Sequence, residues 1–226
     1  MTTSYSLNND SQAAKVLNEL YAEAEKQRSG AGNRLTAEAG AVLTPLERFT
    51  ALKHRYMPID RPFGNLMYSL LQASQAKTIV EFGTSFGIST IFLAAAARDN
   101  GFGKVITTEF IAEKAERARE NLTRAGLVDW VEFRVGDALQ TLSDPLPGPI
   151  DFLFLDGEKS LYLDVVRRVE PQMATGCLIA SDNTDHQGAE PYLQYMRDPQ
   201  QGYVSTPILT QGGPKAHSGH EISIRL

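Results

Sequence analysis

Between Thr78 and Asp198 the chain alternates five times between a short β-rich run and a helical stretch, and it closes on two strand candidates separated only by residues 211–219. The alternation predicts an α/β fold, a parallel sheet with right-handed crossovers and helices on both faces. The last two strands lie too close in sequence for a helical crossover, so they pair antiparallel. Strand-like runs are missing from the first 75 residues, which read as a helical annex. The expected architecture is a Rossmann-like, seven-stranded, mostly parallel sheet with an antiparallel last hairpin and an N-terminal helical annex.

Residues 11–27 carry Ala14, Val16, Leu17, Leu20, Tyr21 and Ala24 at helical spacing among Glu and Lys. That pattern is an amphipathic helix whose apolar stripe must be buried, as a lid or in a subunit contact. The small, Gly-rich stretch 29–40 breaks it and reads as a mobile connection. Helical patterns follow over 45–54 and 65–73. This annex, residues 1–75, is expected to form one domain with the sheet-bearing body, residues 76–226. In the body the strand runs are TIVEF (78–82), KVITTE (104–109), WVEFRV (130–135), IDFLFLD (150–156), GCLIASD (176–182), YVSTPILT (203–210) and HEISIRL (220–226). Helical runs between them are STIFLAAAAR (89–98), AEKAERARENLTRAG (112–126), ALQTL (138–142), SLYLDVVRRVEPQM (160–173) and AEPYLQYMRD (189–198).

With 226 residues, 42% apolar and 22% charged, the chain can fill one α/β core and lacks the bias of a disordered or collagenous sequence. Its 22 Lys and Arg against 27 Asp and Glu give a net charge of -5, the wrong sign for nucleic acid or an anionic membrane as partner. No apolar run approaches the roughly 18 to 20 residues of a membrane-spanning helix. Residues 1–10 lack a basic segment followed by an apolar one, so a cytoplasmic location is expected. Cys177 is the single cysteine, which excludes an intrachain disulfide and a thiolate zinc cage.

Ligands of open α/β sheets bind beyond the carboxyl ends of the strands. After the first strand, Gly83 and Gly87 let the backbone turn sharply and approach a ligand, and the next helix offers its free N–H groups to a carboxylate or phosphate. Glu109 ends the second strand, where an acid can accept from both hydroxyls of a ribose. Asp137, in Gly136-Asp137-Ala138, can meet an adenine amino group or simply cap a helix. The fourth and fifth strands end in Asp156 and in Asp182-Asn183. Two carboxylates and an amide oxygen at neighbouring strand ends suit a hard divalent cation such as Mg²⁺.

The order E-x-G-x-x-x-G (81–87), acidic strand end (109), G-D-A (136–138), L-D-x-x-K (155–159) and D-N (182–183) resembles the metal-dependent O-methyltransferases that use S-adenosyl-L-methionine (SAM), the group containing catechol and caffeoyl-CoA O-methyltransferases. The resemblance covers residues 57–226. It implies that Glu81, Gly83, Thr84, Ser85 and Gly87 wrap the methionine part of SAM and that Ser89 helps hold its carboxylate. Glu109 would take the ribose, and Asp137 with Ala138 the adenine side. Asp156, Asp182 and Asn183 match the protein ligands of Mg²⁺, with Asp156 also facing the cofactor, and Lys159 matches the catalytic lysine. Met57 sits where members often place a methionine near the methyl donor, though helix packing explains it equally. A homodimer is implied as well.

Two departures stand out. Many members read D-A-D-K or D-H-W-K where this chain has Asp156-Gly157-Glu158-Lys159, which removes a bulky residue from the acceptor's wall. The acid that touches the acceptor's second hydroxyl has no motif here; Glu221 and Asp185 are candidates. His54, His186, His217 and His220 are expected at the surface, with His186 able to line the acceptor site.

Methyl transfer from a sulfonium requires an ionised acceptor oxygen held in line. A divalent cation favours that ionisation, and the lysine takes the proton. The expected activity is Mg²⁺-dependent O-methylation of a small catechol-type or related vicinal dihydroxy acceptor. Two other readings are a metal-independent SAM methyltransferase on another N or O acceptor and a non-catalytic nucleotide-binding module.

Overall fold

The computed structural model describes residues 5–29, 47, 50–209 and 219–226. The connection expected after residue 29, residues 45, 46, 48 and 49 of the helical pattern at 45–54, the hairpin loop and His217 lie outside the described residues. Seven strands form one sheet: β1 (Thr78–Phe82), β2 (Lys104–Glu109), β3 (Val131–Val135), β4 (Ile150–Leu155), β5 (Met173–Asp182), β6 (Tyr203–Leu209) and β7 (Gly219–Arg225). Their order is β3-β2-β1-β4-β5-β7-β6. The first five run parallel, and β7 is antiparallel to both β5 and β6. The order reverses between β1 and β4, so a crevice opens beyond their carboxyl ends.

Alternate strand residues feed two apolar layers, as a two-residue period requires. Ile79, Phe152 and Phe154 face a cluster with α1 (Gln12–Ser29), α2 (Arg61–Ser74) and α3 (Ile88–Asn100), joined by Leu122 of α4 (Ala112–Arg124). Val80, Leu153 and Leu155 face α5 (Ala138–Thr141), α6 (Tyr162–Val169) and α7 (Glu190–Arg197). β1 is buried along its whole length, with Ile79 in one layer and Val80 and Phe82 in the other.

The stripe of α1 is buried inside its own chain: Ala13, Val16, Leu17 and Leu20 belong to the core cluster of α3. The stripe therefore gives no support to a subunit contact. α2 begins at Arg61, earlier than the pattern at 65–73 predicts, because Pro62 is well placed in a first turn. It packs closely on α3; a Cβ at Gly64 would lie 2.6 Å from the Phe92 ring.

The helix expected over 160–173 is shorter. α6 stops at Val169 and tightens to a 3₁₀ turn over Glu170–Gln172, where Pro171 has no N–H to continue the helix. β5 consequently starts at Met173, and its register with β4 shifts near Gly176, whose φ is 83°. Among the described residues no helix is long and apolar enough to cross a membrane.

Candidate active site

The carboxyl ends of β1 to β5 surround a cavity of about 640 Å³. Met57, Gly83, Thr84, Ser85, Ser89, Glu109, Asp137, Ala138, Asp156, Lys159, Asp182 and Asn183 all line it. Sequence motifs far apart along the chain thus converge on one concavity. Glu81 and Gly87, from the same first motif, stand behind its wall.

The glycine turn is dictated by close approach. Gly83 has φ 104°, and a Cβ there would lie 2.7 Å from the Gly157 nitrogen and 2.8 Å from the Asp156 carbonyl carbon. The turn is anchored by Gly83 and Thr84 N–H groups donating to the Thr108 carbonyl, at 3.2 and 3.1 Å. Gly87 (φ 82°) caps α3, whose first residues Ile88 and Ser89 line the cavity. The Ser85 hydroxyl is buried beside the cavity without a hydrogen-bond partner. An orphaned polar atom in this wall fits a polar ligand, as SAM is.

Glu81 is fully buried and accepts from three hydroxyls, Ser89 at 2.5 Å, Thr90 at 2.6 Å and Thr107 at 2.6 Å. Burial outweighs these donors and raises its carboxyl to about 7. The Ser89 hydroxyl is therefore committed to Glu81 in this structure, and Glu81 acts as the footing of the turn.

Glu109 accepts from the Ser85 N–H at 2.8 Å and the Ile111 N–H at 2.9 Å, one on each carboxylate oxygen. Burial raises its carboxyl above the usual range. Asp137 caps α5, accepting from the Leu139 N–H at 2.9 Å, and still lines the cavity; capping and ligand contact are compatible. Lys114 was not singled out by any motif. It is 2% exposed, lines the cavity, and sits with Nζ 5.6 Å from the Phe86 ring centre; burial lowers its ammonium below the usual range, opposed by Glu109 and Asp156.

Asp156 and Asp182 each follow by one residue the paired Leu155 and Ser181 of neighbouring parallel strands. Adjacent strands lie about 4.8 Å apart, so their backbones are side by side at the cavity floor. The Tyr162 hydroxyl ties the two ends together, 2.9 Å from the Leu155 carbonyl and 3.0 Å from the Asp182 carbonyl. Asn183 has φ 53°, and its backbone N–H and its Nδ2 both donate to Asp182 Oδ1, at 2.8 and 3.1 Å. The donor set of two carboxylates and one amide is chemically suited to a hard cation such as Mg²⁺. Among the described residues no cluster of three or more His, Cys, Asp or Glu exists, so any cation here would rely on the Asn183 oxygen and on substrate or water for its remaining ligands. Lys159 opens a 3₁₀ turn capped by Glu158 and holds Nζ 2.9 Å from Asp156 Oδ1.

Gly157 has a structural partner for its missing side chain. A Cβ there would lie 2.5 Å from Phe82 Cε1, so the aromatic ring at the end of β1, itself part of the lining, fills that space.

Three expectations need correction. Glu221 is not at the acceptor site; it is 0% exposed and is gripped by Arg197 through both carboxylate oxygens, at 2.9 and 2.7 Å. Asp185 is exposed and does not line the cavity. His220 is not a surface histidine: it is 1% exposed, with Nδ1 2.8 Å from Asp182 Oδ1. The reason is that β7 is inserted between β5 and β6, and an interior strand buries both faces. His186 is exposed and lines the cavity rim.

Comparison with known proteins agrees with this geometry. A family model described as a methyltransferase domain matches residues 80–184. The chain is 37% identical over 162 residues to a catechol O-methyltransferase of Mycobacterium tuberculosis, covering 66% of this chain and 72% of that one. It is 34% identical over 176 residues to a catechol O-methyltransferase of Niastella koreensis, covering 71% and 79%. The crystal structure of the O-methyltransferase TomG from Streptomyces achromogenes, involved in tomaymycin synthesis and in complex with SAM, superposes with a TM-score of 0.66 at 29% identity, covering 74% of this chain and 81% of that one.

Proposed function

Since this chain belongs to the family of SAM-dependent O-methyltransferases and is an enzyme of that kind, we propose that it methylates one hydroxyl of a small catechol-type or related vicinal dihydroxy acceptor, with Mg²⁺ required. The observation that carries this reading is the side-by-side placement of Asp156 and Asp182, with Asn183, on the floor of the same cavity as the glycine turn. The catechol O-methyltransferase names of the two relatives support the acceptor class.

In this reading SAM supplies an electrophilic methyl group, which the acceptor oxygen takes as the carbon–sulfur bond breaks with its electrons going to sulfur. When bound, Mg²⁺ supplies stabilisation of an oxyanion, so a neighbouring hydroxyl ionises nearer neutral pH. Asp156, Asp182 and Asn183 would hold the cation. Gly83, Thr84, Ser85 and Ser89 would hold the methionine part, with Glu81 and Gly87 shaping that turn from behind. Glu109 would accept from the ribose, and Asp137 with Ala138 would face the adenine. Lys159 receives the acceptor proton. Leu52, Tyr56, Met57 and Ile59 bring the annex to the cavity, where they would form the acceptor's wall and flank the methyl donor.

The test is methyl transfer from radiolabelled SAM to a panel of phenols, with Mg²⁺ and with EDTA. Transfer to catechols alone, abolished by EDTA and restored by Mg²⁺, is the expected result. One observation favours a second reading, a metal-independent transfer: Asp156 and Asp182 each have a side-chain nitrogen within 3 Å in the chain, from Lys159 at 2.9 Å and from His220 at 2.8 Å. Full activity in EDTA would select it. A homodimer in the cytoplasm completes the proposal; sedimentation as a compact monomer at micromolar concentration would remove the dimer.

A further inference from the structure

We infer that His220 is a positioning residue for Asp182, so that the inserted strand β7 is part of the cation site and not only of the sheet. The inference rests on the Mg²⁺ reading above.

Asp182 and His220 face each other as a pair of the β5–β7 ladder. The imidazole Nδ1 lies 2.8 Å from Asp182 Oδ1. The ring cannot easily turn. It is 1% exposed and stacked on Phe63 of α2, with centroids 3.8 Å apart and planes 13° from parallel. Phe63 is itself fully buried. The strand is pinned at the same level, where the Thr184 N–H donates to the Gly219 carbonyl at 2.9 Å.

Three nitrogens thus converge on Asp182 Oδ1: His220 Nδ1 and the two donors of Asn183, its backbone N–H and Nδ2. The first of these is the only one that comes from outside the local loop. It fixes the plane of the carboxylate, and the carboxylate in turn holds the Asn183 amide by its nitrogen, which orients the amide oxygen. One histidine contact therefore orients two of the three oxygen donors. Partners of this kind behind a ligand are worth about 10 to 100-fold in metal affinity. The effect is larger for Mg²⁺, which demands near-octahedral geometry, than for the more tolerant Ca²⁺.

The experiment is calorimetric titration of the full chain with MgCl₂ and, separately, CaCl₂, for the unsubstituted protein, His220→Phe, His220→Asn, His220→Gln and Asp182→Ala. Phe keeps the stacking on Phe63 and removes the ring nitrogens; Asn places an amide nitrogen near the position of Nδ1, Gln near that of Nε2. The expected result is a loss of Mg²⁺ affinity of about 10 to 100-fold in His220→Phe, a smaller loss for Ca²⁺, recovery in His220→Asn but not in His220→Gln, and no detectable site in Asp182→Ala. Unchanged SAM affinity in His220→Phe shows that the fold survives. If that variant does not fold, the Asn and Gln variants decide, and equal Mg²⁺ affinity in those two overturns the inference. Equal affinity in His220→Phe and the unsubstituted protein overturns it while leaving the Mg²⁺ reading intact. Absence of binding to the unsubstituted protein overturns both.

Discussion

Ser89 on α3 donates its hydroxyl to Glu81 on β1 at 2.5 Å, inside a carboxylate cage that Thr90 and Thr107 complete. The first turn of the helix and the end of the strand are thereby clamped together, and the glycine turn between them is held at both ends.

The clamp carries a pH signature. Burial raises Glu81 to about 7 from 4.5, so the folded chain binds its proton more tightly than the unfolded chain does. Stability from this group is fully present below the unfolded value and is lost as pH rises through about 7, by about 3 kcal/mol at most. Urea unfolding of the protein without ligands between pH 4 and 8 should show this decline, and Glu81→Gln should flatten it. An identical pH profile in the variant would contradict the assignment.

Gly83→Ala should destabilise the protein by on the order of 2 kcal/mol, since the residue has φ 104° and its Cβ would meet the backbone at Asp156 and Gly157. SAM affinity should fall with it, because the clash lies between two segments that both line the cavity, Gly83 and Asp156–Gly157. Thermal unfolding and calorimetry read the two effects.

Gly157 and Phe82 should be energetically coupled. Gly157→Ala overpacks the site and should cost about 1 to 3 kcal/mol. In a Phe82→Leu background the same change should cost markedly less, and a double-mutant cycle measures the difference. Additive effects would show that Phe82 does not occupy the space left by the missing side chain.

Removing the proposed proton acceptor should separate chemistry from binding. Lys159→Met should lower kcat by about 10²- to 10⁴-fold while leaving SAM affinity within a few-fold. A large loss of SAM affinity with kcat intact would assign Lys159 to binding instead. Asp156→Ala should also reduce transfer by about 100-fold or more, and added Mg²⁺ should not restore it.

The pair Arg197 and Glu221 is structural. Glu221 is fully enclosed while the Arg197 side chain is about half exposed (47%), so Arg197→Met strands a buried acid and should cost about 2 kcal/mol, between the surface and buried limits. Methyl transfer per folded molecule should be unchanged, as a urea titration paired with an activity assay would register.

Much of this molecule is legible from its sequence. The alternation from TIVEF to AEPYLQYMRD reports the strands and helices in order, because each element's apolar period reflects neighbours only two to four residues away. The short spacing before HEISIRL reports the antiparallel return. The glycine turn, Glu109, Asp137, Asp156, Asp182 and Asn183 are readable because strand ends in such sheets share one side. What stayed hidden depends on which distant strands become neighbours. Insertion of β7 beside β5 buried His220 against Asp182 and drew Glu221 toward Arg197, away from the acceptor side. The packing of α1 on α3 absorbed a stripe that local periodicity could only mark as needing burial. Local chemistry decides what each segment is, whereas contacts between segments far apart along the chain decide which side chains face each other, and those form only when the whole sheet is assembled.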